Sequence, residues 1–220
     1  MNPRTRAESE ILAGRSVDAT VYIWYPCRKF LVGHSSIYIG GVPQYPWPNF
    51  RPEDPVTTSS NKRIRPQDDN YVSFLAGSSR PSVFRVNLSF PGVFHNLHDD
   101  FVESPHLEYY LLGLNVPEMQ RKKNEMYNGN MYGNLHFSPT YHPIYKNCST
   151  LVARILKSGG VDQLLNPIQI MGYAKNIYWT PKDIAQLCNK LRDIDKAVKV
   201  RGLNCPDKFK SPFRTLMGFR

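Results

Sequence analysis

The sequence predicts an α+β fold in which a central antiparallel sheet is packed by helices. Several short runs rich in β-branched and aromatic residues lie between residues 18 and 114, and turn residues separate them. Helical periodicity appears in two later segments, which begin near Cys148 and Thr180. Strands in the first half of a chain and helices in the second half are typical of the α+β class.

Length and composition indicate a single domain. The chain has 220 residues, of which 41% are hydrophobic, and this is enough to bury a full core. We expect a polar N-terminal arm at residues 1–17, one domain at 18–200 and a basic tail at 201–220. The arm lacks the apolar centre of a Sec-type signal peptide, and no apolar run approaches transmembrane length.

The strands are predicted from their residue types. The first spans residues 18–25 and ends at Pro26, and the second opens at His34. Residues 42–70 are rich in proline and predict a long surface insertion, either a lid with aromatic anchors or a disordered insert. Further strands are predicted at 71–75, 83–89 and 108–114.

The helix that opens on Cys148 has clear signals at both ends. Asn147 is its expected N-cap, and Gly159-Gly160 is its C-terminal stop. A charged surface helix is predicted before it at 117–127, followed by a loop rich in asparagine and glycine at 128–134.

The last helix is predicted to begin with a near capping box formed by Thr180 and Asp183, with Pro181 at the first helical position. Apolar residues at helical spacing then give it one buried face. The residues predicted on that face are Ile184, Leu187, Cys188, Leu191, Ile194 and Val198.

Charge and cysteine content limit the partners. The formal net charge of +10 makes an anionic surface a plausible partner, but the basic residues are scattered and match no nucleic-acid-binding motif. We therefore expect no specific nucleic acid. The four cysteines form neither a CxxC metal box nor a dense disulfide framework, and pairing of Cys27 with Cys205 stays open.

Residues 95–100 contain side chains that could bind a metal ion. His95 and His98 are three residues apart beside two carboxylates, which zinc can bind on a helix or a tight turn. However, Pro91-Gly92 disfavours a helix there, and the segment lacks the HExxH arrangement. We expect no metal and no cofactor.

Cys148 and His34 are the residues whose pattern points to chemistry. A cysteine at a helix N-terminus lies where the helix dipole and unpaired N–H groups stabilise a thiolate. Alone, such a cysteine is more often a small buried hydrophobe. A histidine between glycines at a strand start supplies the base that cysteine chemistry requires, so the pair favours a nucleophilic enzyme.

The ordered boxes GHSSIYIG (residues 33–40) and NCSTLV (147–152) resemble the circularly permuted papain-like, NlpC-type superfamily. That superfamily includes lecithin:retinol acyltransferase-like proteins and YiiX-type hydrolases, and further segments resemble its bacterial toxin and effector domains. The resemblance covers about residues 18 to 195 and implies a permuted papain-like fold with Cys148 as nucleophile and His34 as base. The chain lacks the second histidine that acyltransferases carry shortly after the first.

The resemblance also suggests a third catalytic group. Asp100, with Glu103 and Pro105 after it, resembles the D…E…P segment of the toxin-like domains, which makes Asp100 the first choice. Asp99 is adjacent, and Ser73 follows from relatives whose third residue lies on the neighbouring strand. Both stay open as alternatives.

The expected function is therefore that of a cysteine amide hydrolase that forms a thioester intermediate. The resemblance implies an effector that is made in the cytoplasm, is exported by a specialised secretion system and cleaves peptidoglycan peptides, with an immunity protein as a further partner. A toxin-type acyltransferase or protease that acts on host proteins is the first alternative. A non-catalytic binding domain that uses the same cleft is the second.

Overall fold

A computed structural model of the chain describes residues 5–43, 70–76, 90–128, 140–144, 146–171 and 178–206, and these residues form a mixed α+β fold. The predicted class is confirmed. The strands are β1 (Ala19–Trp24), β2 (His34–Ile39), β3 (Tyr71–Val72), β4 (Phe74–Ala76), β5 (Phe90–Phe94), β6 (Leu107–Leu111), β7 (Thr140–Tyr141) and β8 (Ala197–Arg201). The helices are α1 (Arg6–Leu12), α2 (Leu97–Asp100), α3 (Val116–Asn128), α4 (Cys148–Ser158), α5 (Val161–Leu164), α6 (Pro167–Met171) and α7 (Pro181–Asp193).

The main sheet has five strands in the order β3-β2-β1-β6-β8, and all of its pairings are antiparallel. The register of the central pair places Trp24 opposite His34, so the two side chains share one face of the sheet. A second sheet of three strands has the order β4-β5-β7. Ser73 lies between β3 and β4, where the chain passes from one sheet to the other.

Both faces of the central strand β1 are covered, and all six of its residues are buried. Val21 and Ile23 face α4 and α7 in the main core, together with Ile155 and Leu187. Tyr22 and Trp24 face the other way, into a smaller aromatic cluster with Phe30, Tyr71 and Leu97. The run of bulky residues in β1 follows from this double burial, because neither face needs a polar residue.

The predicted starts of α4 and α7 are confirmed. The Asn147 side chain accepts a hydrogen bond from the backbone N–H of Thr150 at 2.8 Å and caps α4. Thr180 and Asp183 form a complete capping box at the start of α7, with Pro181 in its first turn. Cys188 is fully buried in the main core, as predicted.

The last helix is shorter than its apolar periodicity predicted. It ends at Asp193, and the chain turns at Asp195, a non-glycine residue with a φ of 56°. Val198, predicted on the helix face, instead lies in β8 and pairs with Tyr110. The prediction was wrong because Val198 happens to fall at a helical spacing from Ile194. Its neighbours alternate between apolar and polar residues, as in a strand, and counting helical spacings does not detect that change.

The polar N-terminal arm contains a short helix. Thr5 caps α1 by accepting a hydrogen bond from the Glu8 backbone N–H, and Ala7 is fully buried against Leu112 and Val198. Helix α1 therefore packs on the face of the sheet that carries Tyr110 of β6 and Val198 of β8.

Other predictions change or lie outside the described residues. The strand predicted at 71–75 divides between the two sheets at Ser73. Most of the insertion at 42–70, the strand at 83–89, nearly all of the loop at 128–134 and most of the basic tail fall where the structure describes nothing. Within the described ranges, the structure contains no helix with the length and apolar character needed to span a bilayer.

Candidate active site

Cys148 is the first residue of α4, and only 6% of it is exposed. Asn147 fixes this position. Its side-chain oxygen accepts from the N–H of Thr150, while its Nδ2 donates to the backbone oxygens of Pro143 at 2.7 Å and Trp179 at 3.1 Å. One asparagine side chain thus joins the start of α4 to the segments that precede α4 and α7.

His34 begins β2 and is completely buried. Its ring packs against two aromatic rings that also contact each other, that of Phe30, with centroids 4.7 Å apart, and that of Trp24, with centroids 5.4 Å apart. Gly33, which precedes it, has a φ of +80°, and a Cβ there would lie 3.0 Å from the Trp24 carbonyl oxygen. A glycine is therefore required where the chain enters the strand.

The structure brings His34, Asp100 and Ser73 together. His34 Nε2 lies 3.2 Å from Asp100 Oδ2 and 2.9 Å from Ser73 Oγ. Since a carboxylate only accepts, Nε2 must carry the proton in this arrangement. Both of the leading sequence candidates for the third group therefore contact the same ring nitrogen.

Asp100 is fully buried, and two further side chains hold it. The Tyr71 hydroxyl donates to Asp100 Oδ2 at 2.7 Å and also lies 2.7 Å from Ser36 Oγ. On the other carboxylate oxygen, Oδ1 lies 3.3 Å from His95 Nδ1. Asn96 caps the single turn of α2 that carries the carboxylate.

Sequence reasoning missed the Tyr71 and His95 contacts. Tyr71 was assigned only to a strand and His95 only to a metal alternative. The period of two along an extended chain was a usable signal, because it places the side chains of Tyr71 and Ser73 on the same side. Nothing in the sequence indicated the His95 contact.

The second ring nitrogen of His34 is the one available to Cys148. Among the described residues, none hydrogen-bonds Nδ1 in standard geometry. The Cys148 thiol nevertheless interacts with the His34 ring through charge and hydrogen-bond attraction. Because Nε2 is occupied by Asp100 and Ser73, Nδ1 is the ring nitrogen left for this interaction.

The charges in this group stabilise one another. Burial by itself would lower the pKa of His34, but the negative charges of Asp100 and Cys148 raise that pKa to about 9. Burial would raise the pKa of Asp100, and the charge of His34 overrides this and holds it well below its usual range. For Cys148, burial again opposes ionisation, but the His34 charge brings the thiol pKa below its ordinary value. The arrangement therefore favours a thiolate beside an imidazolium.

A pair of serines lies beside the thiol. Ser35 Oγ and Ser149 Oγ are 2.9 Å apart, and Ser149 Oγ is 3.8 Å from Cys148 Sγ. The backbone N–H of Ser35 also hydrogen-bonds the thiolate and lowers its pKa. These contacts bind the N-terminus of α4 to β2, so the nucleophile candidate and the base candidate are set on two packed elements.

The remaining candidates lie apart from this group. Asp99 is partly exposed, and its backbone N–H is taken up by the Asn96 cap. Residues 97–100 do form a helical turn, contrary to our expectation, but no group of His, Cys, Asp or Glu within the described ranges could hold a metal ion.

All four cysteines lie in described parts of the chain, and none of them forms a disulfide.

The candidate site therefore combines a cysteine at the first position of a helix with a buried histidine and a buried carboxylate, in an α+β domain. The family model of the IcsB middle domain matches residues 82–201, which is more than half of the 220-residue chain. The chain therefore belongs to the IcsB middle domain family, and IcsB is a secreted effector of Shigella. The matched range includes Asp100 and Cys148, while His34 lies upstream of it. No curated protein and no solved structure matches the chain.

Proposed function

We propose that the protein is a cysteine-nucleophile enzyme of the permuted papain-like type, which transfers an acyl group through a thioester on Cys148. The observation that carries this proposal is the buried charged group of Cys148, His34 and Asp100. Buried charges are costly, and a domain that only bound a partner would gain nothing from this set. Strongly perturbed and mutually coupled groups of this kind are more typical of catalytic sites.

The proposed reaction has two steps. The Cys148 thiolate attacks the carbonyl carbon of the substrate, a C–S bond forms, and the proton on His34 Nδ1 goes to the leaving group as the acyl bond breaks. His34, now neutral at Nδ1, then removes a proton from the acceptor, which attacks the thioester and releases Cys148. Asp100 and Ser73 keep the other proton on Nε2 throughout, so that Nδ1 always faces the reaction.

The start of α4 supports the charge that develops on the carbonyl oxygen. Of the first N–H groups of α4, that of Thr150 is used by the Asn147 cap. The N–H groups of Cys148 and Ser149 precede it in the first turn, where a helix provides no internal acceptor. They supply the donors that an oxyanion needs.

Membership of an effector family favours a target-cell protein as the substrate over peptidoglycan. The acceptor defines the activity. Water gives the amide hydrolase predicted from the sequence, and an amine gives the acyltransferase alternative. The chemistry at Cys148 is the same in both.

Trapping the thioester with a p-nitrophenyl acyl ester tests the proposal. We expect a burst of nitrophenol and an acyl mass increase on Cys148 that neutral hydroxylamine removes, because a thioester is labile to it. Adding excess lysine amine separates the two outcomes: hydrolysis yields the free acid, and transfer yields an amide.

Cys27→Ser is the matched control, because Cys27 is the more exposed thiol and lies outside the charged group. It should acylate normally, whereas Cys148→Ala should not acylate at all. An acyl increase that appears only on Cys27, or equally in Cys148→Ala, would exclude the proposed nucleophile.

A further inference from the structure

The β1–β2 connection projects two aliphatic side chains from an ordered loop. The Phe30 carbonyl oxygen accepts hydrogen bonds from the N–H groups of Cys27 at 3.0 Å and Gly33 at 2.9 Å, and the Phe30 ring is buried. The two residues at the tip, Leu31 and Val32, are nevertheless 78% and 74% exposed. The loop is held in place by Phe30, and the apolar side chains at its tip are exposed to solvent.

The same end of the main sheet carries other exposed apolar residues. Val102 lies in the segment that enters β6, and Leu203 follows the end of β8; both are exposed. Tyr178 is half exposed, and the segment that carries it reaches the same place, because a Cβ on Gly33 would lie 3.3 Å from Pro181 Cγ. We call these residues the apolar end: Leu31, Val32, Val102, Tyr178 and Leu203.

This end is also where the candidate active site lies. His34 directly follows the β1–β2 loop, and Trp179, the neighbour of Tyr178, binds the Asn147 cap through its carbonyl oxygen. Whatever the apolar end contacts is therefore brought close to Cys148 and His34.

Cations outnumber carboxylates in the loops that form the apolar end. Arg28, Lys29 and Lys182 stand against Glu103 and Asp183 in the described segments 25–33, 101–106, 178–183 and 202–206. Asp183 is committed to the capping box, where its Oδ2 accepts from Thr180. The chain as a whole carries a net charge of +10, so its long-range field attracts anionic surfaces.

We propose that the apolar end is a docking surface for a lipid bilayer with anionic headgroups. Projecting aliphatic side chains insert at the headgroup boundary, tyrosine lies at the interface, and lysine and arginine contact the headgroups. A protein partner is a poorer match, since leucine and valine are under-represented among the residues that dominate protein interfaces. Docking in this way turns Cys148 and His34 towards groups held at the membrane surface.

The test is co-sedimentation of the full chain with phosphatidylcholine vesicles, with and without phosphatidylserine. We expect binding to the anionic vesicles that weakens as salt is added, and a loss of about tenfold or more in Leu31→Asp/Val32→Asp, because two inserting side chains are removed. Both positions are exposed, so the double variant should keep the wild-type fold by circular dichroism.

Leu12→Asp/Ile168→Asp is the matched control. Both residues are similarly exposed, at 68% and 80%, and the control changes the net charge by the same amount away from the apolar end. It should lose only the small part of the binding that net charge supplies. Cys148→Ala should bind like wild type, so failure of the proposed chemistry would leave this result unchanged.

Equal loss in both double variants, or equal binding to neutral and anionic vesicles, would overturn the proposal. Absence of any vesicle binding would also overturn it. If the chain then self-associates in ultracentrifugation and Leu31→Asp/Val32→Asp abolishes this, the apolar end belongs to a second copy of the chain.

Discussion

At the scale of single residues, Asp100 is the group that fixes the state of His34. Its carboxylate contacts Nε2 directly, while Tyr71 and His95 hold the carboxylate from other sides. Burial, followed by the charge of Asp100, raises the pKa of Tyr71 well above its ordinary value, so Tyr71 remains a neutral donor. The His34 ring is therefore held in one orientation, with a proton on Nε2.

Asp100→Asn should lower the pKa of His34 from about 9 towards its ordinary value near 6.5, because the negative charge that stabilises the imidazolium is lost. An NMR titration of the His34 ring measures this directly. Asp99→Asn is the control and should leave the titration where it is. An unchanged titration in Asp100→Asn would show that the carboxylate does not act on His34.

Ser73→Ala should have a smaller effect on the same titration. Ser73 contributes a neutral hydrogen bond at 2.9 Å, worth about 1 kcal/mol, and no charge. A shift in Ser73→Ala as large as that in Asp100→Asn would instead make Ser73 the principal third group.

At the scale of elements, the sequence predicted which strands and helices form better than it predicted where α7 ends and where the chain passes from one sheet to the other. The strands at 19–24, 34–39 and 107–111 follow from their β-branched and aromatic residues, and the caps at Asn147 and Thr180 follow from local chemistry. Local patterns did not predict β8, because Val198 in this strand lies at a spacing that also fits the apolar face of α7.

The site could be predicted only in part for a related reason. The ordered His34 and Cys148 boxes suggested a pair, but the contact of His34 with Asp100 joins residues 66 positions apart. Side-chain distances across such separations depend on sheet register and on the packing of α2, neither of which is encoded in a short motif. The resemblance therefore suggested Asp100 as a candidate, and only the structure shows that it and Ser73 contact the same nitrogen.

Asn147→Ala should both destabilise the protein and weaken the thiol's reactivity. It removes the cap of α4 and the donor to Pro143 and Trp179, and loss of a cap alone costs about 1 kcal/mol. Urea unfolding measures the first effect and iodoacetamide labelling of Cys148 the second.

Thr180→Ala provides the comparison, because it removes the cap of α7 but touches neither Cys148 nor its helix. It should lower stability by a similar amount and leave labelling of Cys148 unchanged. Equal labelling in both variants would mean that Asn147 acts only as a structural cap.

At the scale of the whole molecule, a segment that looks peripheral in the sequence belongs to the folded unit. The N-terminal helix packs on β6 and β8 at one side of the main sheet, and the chain passes from β3 into the second sheet at the other side. The candidate active site lies where loops from one end of the five-stranded sheet meet the starts of α4 and α7. The position of the site is thus a property of the assembled fold.

Ala7→Asp tests whether the arm belongs to the folded unit. Ala7 is fully buried, so an aspartate there should lower the free energy of unfolding by about 2 kcal/mol or more. Ser9→Asp, at an exposed position of the same helix, should change it by less than about 0.5 kcal/mol. Equal urea midpoints for the two variants would contradict the packing of α1.

The most direct test of the central claim is the pH dependence of iodoacetamide labelling at Cys148, followed by mass spectrometry, in wild type and in His34→Ala. We expect wild-type labelling to set in below the free-thiol pKa of about 8.5, because imidazolium at His34 stabilises the thiolate up to its own pKa of about 9. His34→Ala should move the onset upwards, since the charge that stabilises the Cys148 thiolate is lost while burial, which raises the thiol pKa, remains. If both proteins label with the same onset at or above 8.5, Cys148 is an ordinary buried thiol and the proposed enzyme mechanism is wrong.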